Sequence, residues 1–149
     1  FERDRGLAVE AGEAVGIEKM PQVPVHHLGG VSLRVHRRHR HLDPVLLFRF
    51  SALTFNSHRI HYDLPYVTTV EGYPGLIVHG PLMGLLQIEL ARRSNPGKVP
   101  RGFEFRALAP VFAGPALSVH ARREPDGGVT TWIADNNGGL AQQGKVTFQ

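Results

Sequence analysis

Between Gly80 and Arg93 the chain reads GPLMGLLQIELARR, and this segment limits the fold more than any other. Pro81 suits the first position of a helix, where its missing N–H has no partner to lose, and Gly80 falls just outside. Leu82, Met83, Leu85, Leu86, Ile88 and Leu90 then cover almost every face before Arg92 and Arg93. A helix apolar all round is a buried helix, so the rest of the chain must surround it. Asn95-Pro96-Gly97 stops it. Beyond that point the period falls to two. Phe103, Phe105 and Ala107 alternate with Glu104 and Arg106, and Leu117, Val119 and Ala121 with Ser118, His120 and Arg122. Turn clusters at Pro125-Asp126-Gly127-Gly128 and Asn136-Asn137-Gly138-Gly139 separate these strands from two more, Val129 to Ala134 and Leu140 to Phe148. One buried helix followed by an antiparallel meander predicts an α+β class in which a curved antiparallel sheet wraps around a central helix.

With 149 residues, 42% of them apolar, the chain suffices for one ordinary core. There is no Cys, which excludes disulfides, thiolate metal sites and a Cys nucleophile and fits a reducing compartment. No window reaches the roughly 20 apolar residues that span a bilayer, and FERDRG at the start lacks the apolar core of a signal peptide. A cytoplasmic location is the expectation, without membrane partners. A first residue of Phe points to a chain that is processed, truncated or part of something longer.

Seventeen Lys and Arg against thirteen Asp and Glu give a net charge of +4, which permits anionic partners. Much of the basic character sits in Arg34 to Arg40, RVHRRHR. This stretch lies in a region from Met20 to Asp43 where prolines, histidines and arginines dominate without periodicity, as in a linker. Charge without a base-reading framework argues against a nucleic-acid partner. Gly6 to Ile17 alternates weakly, as a strand pair would.

Two polar motifs flank the start of the buried helix: FSALTFNSHRIHYD from Phe50 to Asp63, and EGYPGLIVHGPL from Glu71 to Leu82. With the later FEFRALAPVF they resemble the MaoC-like branch of the hotdog fold. The nearest subgroup includes mesaconyl-C4-CoA hydratase, itaconyl-CoA hydratase and the 3-hydroxyacyl-thioester dehydratases. The resemblance covers 44–149 as a hotdog domain, leaves 21–43 as a linker, and makes 1–20 a remnant of the last strands of a preceding hotdog unit. It implies a carbon–oxygen lyase that adds water to, or removes it from, an enoyl or 3-hydroxyacyl thioester. No separate cofactor is implied; CoA or acyl carrier protein enters as part of the substrate.

That family presents an Asp and a His five residues apart, and the matching positions here are Asn56 and His61. Asn cannot ionise but can orient a water through its amide, so His61 must serve as base and acid in turn. The backbone N–H of Gly80, at the helix start, is the candidate to receive the enolate charge. Arg59, His79 and Tyr73 are candidate substrate-binding residues, and Asp63 is a candidate support that orients the His61 ring. His58, His61 and Asp63 have spacing that could hold a metal, but no supporting pattern accompanies them, and the expectation is no metal.

GLAQQGKV, Gly139 to Val146, nearly spells a phosphate-binding loop. Val146 stands where Ser or Thr would hold magnesium, and no helix can follow. A hotdog hydrolase needs a carboxylate near the thioester carbonyl, and Glu89 lies too far along the helix from Gly80. The remaining alternative is a non-catalytic partner subunit in which Asn56 marks retired chemistry. A single hotdog unit exposes sheet edge, so a homodimer or pairing with a second hotdog unit is expected.

Overall fold

The computed structural model describes residues 35–149. Its elements run β1 (Val35–Arg40), α1 (Pro44–Thr54), a 3-10 turn at Arg59–His61, α2 (Leu64–Thr69), α3 (Gly80–Arg93), β2 (Pro100–Ala107), β3 (Leu117–Arg123), β4 (Val129–Ala134) and β5 (Leu140–Phe148). The strands form one antiparallel sheet in the order β1-β3-β4-β5-β2.

Helix α3 packs against β2, β3, β4 and β5, and the period-two pattern of the strands supplies the surface it meets. Leu117 and Val119 on β3, Val129 and Ile133 on β4, and Val146 on β5 are buried with Leu82, Met83 and Leu90 of the helix. Each such side chain contributes about 1.5 to 3 kcal/mol by leaving water. The turns between strands use glycine where a positive φ is needed: Gly127 at +83° and Gly138 at +85°. α3 is one residue longer at its start than Pro81 predicts. It also keeps one open stripe among the described residues, Pro81, Leu85 and Arg92, with Leu85 55% exposed. The sheet covers the helix from one side only, so the expectation of burial all round is corrected there.

The expected linker over 21–43 also needs correction. Its C-terminal part is strand β1, paired with β3 so that Arg38 lies opposite Val119 and Arg40 opposite Leu117. Among the described residues it is an edge strand with Arg37, Arg38 and His39 exposed, and such side chains protect an edge without any apolar alternation. The strand pair expected over Gly6 to Ile17, and the remnant unit over 1–20, lie outside the described residues.

Two short helices carry the polar motifs. Asp43 caps α1 by accepting from Leu46 N at 2.7 Å, with Pro44 in the first turn. The helix ends at Phe55, whose φ of 53° turns the chain left-handed so that Asn56 N reaches Ser51 O at 2.9 Å. Asp63 caps α2 through Tyr66 N at 3.0 Å. The strand-like segment before α3 is held on both sides: Ile77 N bonds Ile60 O, and Val78 N bonds Val111 O.

Candidate active site

His61 ends the 3-10 turn, and the clamp on Ile77 decides its state. Its Nδ1 lies 2.7 Å from Ile77 O. A carbonyl only accepts, so Nδ1 carries the proton and Nε2 keeps a free lone pair. Among the described residues the only fully buried side-chain nitrogen or oxygen without a partner is His79 Nδ1, so the unpartnered Nε2 of His61 faces accessible space. Burial is the main force on the ring and lowers its pKa below the ordinary 6.5. The Ile77 carbonyl opposes that shift and His58 adds to it. A neutral imidazole with a free, reachable nitrogen is a base ready for use.

His79 lies face to face with His61, with ring centroids 3.7 Å apart and planes 19° from parallel. It is fully buried, and Nε2 lies 2.8 Å from Ser51 Oγ on α1. Burial first, and the neighbouring His61 second, push its pKa down to about 4. Both rings are therefore neutral at pH 7, and the stack carries no repulsion. Because His79 directly precedes Gly80, the stack sets the His61 ring against the residue that leads into α3. In the first turn of any helix the N–H groups have no intrahelical partner, and Pro81 has none to offer. Gly80 N–H is thus an open donor at the positive end of the helix dipole. The fold does not itself demand glycine here: a Cβ would meet Gln142 Nε2 at 3.6 Å and Phe105 Cε2 at 3.9 Å, ordinary contacts.

The other predicted residues fall less centrally. Asn56 Oδ1 accepts from His58 N at 3.0 Å, which leaves its NH2 group as the part free to act. Asp63 does not orient His61. One of its oxygens caps α2 and the other takes a bidentate pair from Arg59 at 3.0 and 2.7 Å, so the support for the ring comes from the Ile77 carbonyl. Arg59 lies over the Tyr66 ring, 4.1 Å from its centroid, and is spent on that local pair. Tyr73 packs at an angle to Phe112. His79 does not face a substrate surface; its side chain is the backing of His61. Ser51 is the residue whose part the sequence understates. Its signal is position: four residues after Leu47 on α1, it is one of the helix's two buried residues, and a buried hydroxyl needs a partner. Glu89, the hydrolase candidate, is held at about 2 by Arg92 and Arg93, in the C-terminal half of α3.

Residues 23–113 match the family model of hydroxyacyl-thioester dehydratase type 2. The chain belongs to that family. Two curated relatives are similar to about half of the chain. The chain is 63% identical over 70 residues to the mesaconyl-C(4)-CoA hydratase of Chloroflexus aurantiacus, covering 47% of the chain and 25% of the relative. It is 41% identical over 78 residues to the mitochondrial hydroxyacyl-thioester dehydratase type 2 of Schizosaccharomyces pombe, covering 51% and 26%. The matched segments thus span about a quarter of each curated relative's length. Among solved structures, the (R)-hydratase of A. caviae involved in PHA biosynthesis superposes with a TM-score of 0.69 over 80% of this chain and 96% of that one, at 22% identity. The dehydratase-family chain therefore has the hotdog fold, a curved antiparallel sheet packed on a central helix.

Proposed function

We propose that the chain catalyses the addition of water to the 2,3 double bond of an enoyl thioester, or its reversal from the 3-hydroxyacyl thioester. The observation that supports this is the stacked histidine pair: His61, its Nδ1 held by Ile77 O and its Nε2 without a partner, stacks on the residue that precedes Gly80. In the hydration direction a water gives its proton to His61 Nε2 as its oxygen bonds C3. The π electrons move through C2 onto the thioester oxygen, and Gly80 N–H receives the charge. The proton held by His61 then passes to C2 and the carbonyl re-forms. Asn56, with Oδ1 engaged by His58 N, offers its NH2 to the water oxygen and leaves the water's protons for His61. CoA or an acyl carrier protein supplies the thioester.

The partner in this reading is a second unit of the same fold, either another copy or a neighbouring hotdog domain. β2 has β5 as its one strand neighbour and leaves its other edge open among the described residues. Phe105 and Leu108 along that edge are 44% and 41% exposed, and Leu85, which follows the Gly84 that the Phe105 ring lies against, is 55% exposed. An apolar open edge of this kind is normally covered. Among the described residues no helix is long and apolar enough to cross a membrane.

The test is a spectrophotometric hydration assay with crotonyl-CoA and mesaconyl-C4-CoA on the wild type and on His61→Ala. Loss of turnover by about 10² to 10⁴ in the variant is expected. Turnover unaffected by His61→Ala would remove that residue from the mechanism. A folded wild type with no turnover on either thioester would favour the non-catalytic partner subunit.

A further inference from the structure

The centre of the domain contains three fully buried polar side chains where an apolar core would serve for packing. Thr131 on β4, Gln87 on α3 and Gln142 on β5 all have no exposed surface. They form a single line of hydrogen bonds: Thr131 Oγ1 to Gln87 Oε1 at 2.6 Å, Gln87 Nε2 to Gln142 Oε1 at 2.6 Å, and Gln142 Nε2 to Gly80 O at 3.1 Å. The direction follows from the last link. The Gly80 carbonyl can only accept, so Gln142 must turn its nitrogen to it and its oxygen to Gln87. Gln87 must then donate there and accept from Thr131. Every amide orientation is set by one backbone carbonyl at the start of α3.

The surroundings are shaped for this line. Gly144 on β5 lies against Gln87; a Cβ there would come within 2.9 Å of Gln87 Oε1 and 2.7 Å of Phe103 Cε2. Gln87 follows Gly80 by seven residues and shares its helix face, so Gln142 bridges two points two turns apart on α3. Replacing all three residues by apolar side chains of like shape would be close to neutral for stability. Their chemistry therefore buys position, and the thing positioned is Gly80.

We infer that Thr131, Gln87 and Gln142 form a positioning relay that fixes the Gly80 peptide so that its N–H points at the thioester oxygen. The peptide bearing that N–H joins His79 to Gly80 and is held at both ends. On one side the His79 ring is anchored to Ser51 and stacked on His61, and His79 O accepts from Met83 N. On the other side Gly80, the residue type with the greatest backbone freedom, is anchored through its carbonyl by Gln142. A donor held before the reaction costs no reorganisation when charge develops. The inference rests on Gly80 as the charge-receiving donor of the proposed hydration.

The experiment uses the full chain and compares wild type, Thr131→Val, Gln142→Met and, as the paired variant, Gln87→Leu with Gln142→Met on the Thr131→Val background, which removes every partner in the line and so keeps the fold. Three quantities are read: kcat and KM with crotonyl-CoA, thermal midpoint, and the NMR resonance and hydrogen exchange of the Gly80 amide. In the paired variant kcat is expected to fall about 10- to 100-fold with KM changed less than about threefold, a thermal midpoint near wild type, and a Gly80 amide that exchanges faster. Thr131→Val, at the far end, is expected to move the same quantities less. In His61→Ala, whose slowed turnover is expected to leave thioester bound, the infrared carbonyl stretch of that thioester should rise toward its free value when the relay is also removed. An unchanged Gly80 amide and wild-type kcat in the folded paired variant would overturn the relay. A Gly80 amide that loosens while the wild type hydrates no thioester would overturn the catalytic part and the proposed function with it. A wild-type carbonyl stretch in the relay variants would overturn the link to Gly80 even if turnover fell.

Discussion

A single carbonyl fixes the chemistry of His61. By accepting a hydrogen bond from Nδ1–H, Ile77 O keeps the proton on Nδ1 and leaves Nε2 basic, while burial keeps the ring from charging. Hydration needs the neutral ring, so kcat/KM should rise as pH increases through the lowered pKa of His61 and be level by pH 7. His58 is one of the groups that lowers it. His58→Gln should therefore move the acidic limb of the profile to higher pH, and a pH-rate profile in which that limb stays put would remove His58 from the electrostatics of the ring. Not all of this could be read from residue types. Asn56 and His61 stand out by spacing. The His61–His79 stack does not, because the two rings come from different elements and meet only when Ile77 is clamped between Ile60 and Phe112. Asp63 is the counterexample: its nearness in sequence to His61 invites a pairing, but the cap of α2 and the Arg59 guanidinium are better placed and take both its oxygens.

At the scale of elements, β5 carries the tightest constraint. Gly144 faces Phe103, Gln87 and the Glu104 carbonyl, each of which a Cβ would approach within 3 Å. A ring edge can give way and a ladder backbone cannot. Gly144→Ala should cost about 2 to 3 kcal/mol, measured as a lowered urea midpoint with unchanged slope. α3, β2, β3, β4 and β5 were all legible in advance because their apolar periods and their glycine turns are local signals. β1 was not. Its partner β3 lies some 80 residues on, and an edge strand stabilised by ladder bonds to that distant neighbour needs no apolar alternation of its own. The relay was illegible for a related reason: Gln87, Gln142 and Thr131 each look like the polar position of an amphipathic element, and only the packed sheet turns all three inward.

For the whole molecule, the two sides of the domain are unlike in what they leave exposed. Covering the β2 edge with a second unit should bury Phe105, Leu108 and Leu85 together. Phe105→Glu is expected to shift the sedimentation coefficient from dimer to monomer while circular dichroism stays the same; an unchanged coefficient would place the contact elsewhere. Among the described residues the other edge of the sheet ends in β1, with Arg37, Arg38 and His39 exposed. A sheet with two adhesive edges could add unit after unit into a filament. Addition at the β1 edge would bring like charges together, so a pairing through the β2 edges is expected to stop growth along the sheet at two units.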